Sequence, residues 1–226
     1  MGAETRSSPP AIDLEDLRER AFTSGPESLA TVECLALLLR RGAGRAAPGW
    51  AERLLERFGS LPELLGASSV DLQREAPPAL ALQIRLLHDL QRRALEAPLR
   101  QRPILGSRSS VSAYLRTVLA AEAREQFRAL FLDRRHRLIS DEIMGHGTVD
   151  HAPAYPREIL RRALERNAAG VVLVRNSASA DPQPSAADVD LARQVITAGR
   201  TLRIALHDHL LVAGEDIVSF RQFGLL

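Results

Sequence analysis

The chain of 226 residues contains no lysine: all 30 basic residues are arginine, set against 28 acids for a formal net charge of +2. That balance lacks the strong basic stripe of a typical nucleic-acid binder. The arginines are expected mainly in ordinary surface ion pairs. A single cysteine, Cys34, excludes an internal disulfide and a cysteine-based zinc cluster. Set in the apolar run 32–39, it reads as a small buried hydrophobe on a helix. No stretch approaches the roughly 18 to 20 uninterrupted apolar residues of a membrane span. The first ten residues are polar and end in Pro9-Pro10, without the apolar centre of a signal peptide. The expected address is cytoplasmic, with no membrane partner.

With 45% hydrophobic residues the chain can bury one or two cores. Up to residue 97 the patterning is helical. Leu14, Leu17 and Ala21 share one face, and Ser28 is placed to cap a helix that runs to about Arg41 before Gly42 and Gly44. Further helices are predicted over 50–58, 61–65, 69–74 and 79–96. Around Pro98 to Pro103 the texture changes. A helix near 111–121 precedes strand signals at 127–132 and 137–144, joined by the turn Asp133-Arg134-Arg135-His136. A helix over 156–167, a buried strand over 171–174, a helix from Ser185 to Ala198 and strands over 202–212 and 217–220 complete the pattern. The prediction is a flexible tail over 1–11, a small all-α domain over 12–97, and an α/β domain over 98–226 with its sheet covered by helices.

The stretch Arg175-Asn176-Ser177-Ala178-Ser179-Ala180-Asp181-Pro182-Gln183-Pro184-Ser185-Ala186-Ala187-Asp188 carries a family resemblance. Further matches are Leu130-Phe131-Leu132-Asp133, Gly147-Thr148, Tyr155-Pro156-Arg157-Glu158, Asn167-Ala168-Ala169, Asp208-His209 and Ile217-Val218-Ser219-Phe220. Together they resemble the RadC family, whose C-terminal domain has the MPN/JAMM metalloprotease fold and whose N-terminal domain is helix-hairpin-helix-like. The family motif is His-Asn-His-Pro-Ser-Gly-Asp-Pro-x-Pro-Ser-x-x-Asp. Its two histidines and final aspartate hold zinc, with the fourth position open for water. A glutamate upstream takes that water's proton, and the motif serine supports the oxyanion.

Aligned without a gap, the resemblance puts Arg175 and Ser177 at the two histidine positions. It puts Asp188 at the third ligand, Ser185 at the serine and Glu142 at the general base. A guanidinium has no lone pair to offer a metal, and an alcohol is a poor substitute for imidazole. The resemblance therefore implies a member that has lost its zinc. The expected role is a non-catalytic pseudoenzyme that binds an unidentified protein or peptide. The alternatives are a residual zinc metallopeptidase of the JAMM class and a DNA-associated repair or recombination factor. Arg175 is expected to replace the metal by pairing with Asp188 and Glu142.

His207 and His209, two apart on a predicted strand, form a candidate relocated metal site. His146 and His151 read as polar loop residues. The family's Pro-Gly-x-Gly hairpin, whose glycines let backbone approach a DNA phosphate, is matched here by Pro77-Pro78-Ala79-Leu80, and its following basic residue by Gln83. A packing helix pair is the expected outcome there, with no assigned DNA-binding residue; Arg85, Arg92 and Arg93 remain generic cations.

Overall fold

The computed structural model describes residues 13–106, 108–119, 125–147, 155–177, 183–214 and 216–226. Two compact units divide between Leu87 and His88. The first is helical, with α1 (Leu14–Thr23), α2 (Thr31–Ala43), α3 (Ala47–Phe58), α4 (Leu61–Gly66), α5 (Ser69–Glu75) and the start of α6 (Pro78–Gln101). Leu35, Leu39, Leu54, Leu64, Leu72, Leu80 and Ile84 form its core. Helix starts follow local chemistry: Asp13, Ser60 and Ser68 each accept a backbone N–H from the first turn they precede. Ser28 does not cap α2. Its Oγ donates to the Gly25 carbonyl, and Glu33 instead reaches back to the Ala30 N–H at 2.8 Å.

The junction of α5 and α6 has the texture of a packed helix pair. Leu80 and Ala81 donate their N–H groups to the Pro77 carbonyl at 2.9 and 3.1 Å, while Pro77 and Pro78 have none to give a phosphate. Leu80 is fully buried. Gln83 lies against Gly42, where the missing Cβ permits the close approach. Restoring glycine at position 80 should therefore empty a core site. Leu80→Gly is expected to lower stability by about 3 kcal/mol or more in urea unfolding. It should bring no gain in duplex binding measured by anisotropy at low salt.

In the second unit, α6 continues past its predicted end at Glu96. That carboxylate is buried and gripped one turn each way, by Arg92 at 2.6 Å and Arg100 at 2.8 Å. The helix continues through Pro98, and Leu99 beyond it is buried in this unit's core. There follow α7 (Arg108–Leu119), β1 (Gln126–Leu132), β2 (Leu138–His146), α8 (Pro156–Glu165), β3 (Gly170–Asn176), α9 (Ala186–Leu202), β4 (Ala205–Ala213) and β5 (Asp216–Ser219). The sheet order is β2-β1-β3-β4-β5, antiparallel except for the parallel pair β3–β4.

Period-two alternation sorts the strands between two cores. Leu130, Leu132, Val172, Val174, Leu210 and Val212 meet Val111, Tyr114 and Leu115 of α7. Phe127, Ala129, Phe131, Val171 and Leu173 meet Ile159, Leu160 and Ala163 of α8 and Val195 of α9. Helices on both faces of a mixed sheet give the α/β domain the sequence predicts, a layering consistent with the JAB/MPN fold. Among the described residues, no helix is long and apolar enough to cross a membrane.

Candidate functional site

The site forms where β3 ends and α9 begins. Ser185 caps α9 and Asp188 closes a capping box with it. The serine Oγ accepts the Asp188 N–H at 3.1 Å and donates to Asp188 Oδ2 at 2.6 Å, and the Ser185 N–H adds a third bond at 3.1 Å. Arg175, near the end of β3, reaches the same oxygen with Nη2 at 2.7 Å. Its Nη1 donates to Glu125 Oε1 at 3.3 Å. Side-chain exposure is 15% for Arg175, 9% for Asp188 and 11% for Glu125, so the three charges meet largely out of water. Burial opposes ionisation of Asp188, yet Ser185 and Arg175 hold its carboxyl below the usual carboxylate range.

Glu142 is not part of this cluster, which corrects the expectation that Arg175 pairs with it. Its β2 position stands opposite Ala129, which in turn stands opposite Leu173, whereas Arg175 stands opposite Phe127. Glu142 thus lies across β1 and two residues along, under α8. There Arg162 Nε donates to it at 2.7 Å, with Arg166 and Ser140 as further donors. Burial again opposes ionisation, and Arg162, Arg166 and Ser140 hold its pKa low. Since the folded value is depressed, its contribution is present above the unfolded carboxylate range and lost as pH falls through the folded one. Glu142→Gln is expected to cost roughly 1 kcal/mol near pH 7, discounted for half-exposed arginine partners, and to leave the Arg175 cluster intact.

Glu125 is the acid that sequence reading misses. It precedes β1 by one residue and lies two before Phe127, the partner of Arg175, so strand periodicity puts it on the arginine's face. Its carbonyl accepts the Gly147 N–H at 2.7 Å, which extends the β1–β2 ladder to hold it there.

The two candidate histidines do not converge. A register shift between Val171 and Val172 inserts His207 as an extra residue in β4, so the two-residue spacing no longer means a shared face. His207 packs its ring on His136 at 4.7 Å between centroids and lies against Gly170. His209 is fully buried between Phe127 and Phe220. Neither of its ring nitrogens has a hydrogen-bond partner among the described residues. Burial drives its pKa down to about 4, with Arg175 pushing the same way and Asp188 opposing, so the ring is neutral at pH 7. His151 and the Asp181-Pro182 pair lie outside the described residues.

The donor set does not fit a hydrolytic zinc. Arg175 brings positive charge and no lone pair, and the Asp188 oxygen that faces it already accepts three hydrogen bonds. The single Ser185 hydroxyl proton is committed to Asp188 rather than to an oxyanion. Ser177 follows β3 with its N–H on the Val212 carbonyl and offers only an alcohol. Among the described residues no three histidine, cysteine or acidic side chains are grouped to hold a metal.

Comparison with known proteins accords with this architecture. A family model described as RadC-like JAB domain matches residues 105–225. A UPF0758 protein of Rhodobacter capsulatus is 40% identical over 213 residues, covering 93% of this chain and all of that one.

Proposed function

The chain belongs to the RadC family, and from that premise we propose that its JAB domain is a non-catalytic module that binds a protein or peptide. One observation carries the reading: the Arg175 guanidinium bridges Asp188 and Glu125. A fixed positive charge supplies the counter-charge those buried carboxylates need. It cannot ionise a water or polarise a carbonyl as a zinc ion does. The fold keeps its electrostatic balance while the chemistry is lost. A cluster stabilised in this way no longer requires a metal to stay folded, so the domain keeps its shape as a binding module without the chemistry.

The test is a peptidase assay of the full chain, preincubated with zinc, on linear and isopeptide-linked substrates. No chelator-sensitive cleavage above the protein-free blank is expected. Chelator-sensitive cleavage above that blank would overturn the reading in favour of a metallopeptidase.

A further inference from the structure

A cavity of about 240 Å³ opens on the other face of the sheet from Arg175. Its apolar wall is Val111 of α7, Val172 of β3 and Leu210 of β4, with Ile104 and Leu105 from the segment before α7. Arg108 and Arg221 stand at its edge, both exposed. Neither has a carboxylate partner among the described residues, although Arg221 Nη1 donates to the His207 carbonyl at 3.1 Å. The one acid in the lining, Asp208, is already occupied. Its oxygens accept from Ser219 Oγ at 2.6 Å and from the N–H groups of His209 and Arg221 at 2.8 and 3.1 Å. Asp208 keeps its charge, but its oxygens are turned to Ser219 and to backbone N–H groups, and the two arginines outnumber it, so the lining stays net positive.

We propose that this cavity captures the C-terminus of a peptide, an apolar last side chain entering against Val172 and Leu210 while its terminal carboxylate is held by Arg108 and Arg221. The match is one of size and charge together. The volume is below that of a drug-sized site and suits a single aliphatic or aromatic side chain. Two guanidinium groups without acidic partners complement one carboxylate, the group they bind most specifically. A cationic or uncharged apolar ligand would leave both arginines unused, and an anion without an apolar group would leave the apolar wall unused. Capture of a terminal carboxylate beside a side-chain pocket is a known way of reading peptide ends. This site gives the proposed binding role a location and rests on that reading for its purpose, but it lies apart from Arg175. Failure to bind the peptide would leave the metal argument standing.

The experiment uses the full chain and a fluorescein-labelled pentapeptide, Gly-Ser-Gly-Ser-Leu with a free carboxylate, followed by anisotropy. Two competitors are the same peptide as its C-terminal amide and free 4-methylpentanoate. Saturable binding of the acid peptide is expected, with the amide at least roughly tenfold weaker. Arg108→Gln and Arg221→Gln should each weaken binding by about tenfold, and the double variant by more. Both side chains are exposed, and the Arg221 backbone N–H that holds Asp208 is unchanged, so the variants keep the fold. Equal affinity for acid and amide, no binding at all, or variants that bind like the parent would each overturn the proposal. So would 4-methylpentanoate matching the peptide, since the cavity would then read a small acid and not a chain end.

Discussion

Arg175→Ala should lower the unfolding free energy by roughly 3 to 5 kcal/mol, the loss expected when one partner of a buried ion pair is removed. Asp188 and Glu125 would remain in place with little solvent to replace the lost charge. For a chain of this length, the midpoint of thermal unfolding should fall by on the order of 10 °C. The deficit should depend on pH in one direction. In the parent, Asp188 is held below the usual carboxylate range, so its contribution is present above the unfolded carboxylate pKa and lost as pH falls through the folded one. Without Arg175 the Ser185 bonds remain, while burial opposes ionisation of Asp188 with greater relative weight. The gap between parent and variant is therefore widest near pH 7 and closes only as pH falls through the parent's depressed Asp188 value, below the usual carboxylate range. Arg175→Lys should recover part of the loss, because one ammonium restores charge but cannot span both acids as the fork does. A loss under about 1 kcal/mol that does not change with pH would show that the guanidinium does not hold the cluster.

The second large effect is a gain. Arg175→His with Ser177→His replaces a cation and an alcohol by two neutral nitrogen donors beside Asp188, at the end of a strand whose neighbours are already fixed by the sheet. Zinc affinity should rise by roughly three orders of magnitude or more, about 4 kcal/mol, read by competition against a fluorescent chelator. The same binding should raise thermal stability when zinc is in excess, since a ligand that prefers the folded chain stabilises it by mass action. A double variant with the parent's zinc affinity would mean that the surrounding pocket has changed beyond those two positions.

Much of this was legible from residue patterns because local chemistry dictates it. Pro184-Ser185 followed by Asp188 announces a capped helix, and that helix starts at Ala186. The apolar run 171–174 announces a strand buried on both faces, as β3 is. The pairing of Arg175 with Asp188 follows from their places on these two elements. Its pairing with Glu125 rather than Glu142 does not, because both acids belong to the same hairpin and only strand register separates them. That register includes an irregularity between Phe127 and Arg128 that no composition rule reveals. The same limit applies to His207 and His209: a spacing of two promises a shared face only while the ladder is regular, and an extra residue in β4 breaks the promise. Helix α6 runs beyond its predicted end, through Pro98: Glu96 pairs with arginines of both adjacent turns, and Leu99 just past the proline is buried in the core.

The central claim is that a guanidinium stands in for the metal, and equilibrium dialysis of the unmodified full chain against zinc at pH 7 tests it most directly, with metal and protein quantified after exhaustive washing. Zinc at the level of a protein-free control is the predicted result. One retained zinc per chain, lost on Asp188→Asn, would contradict it.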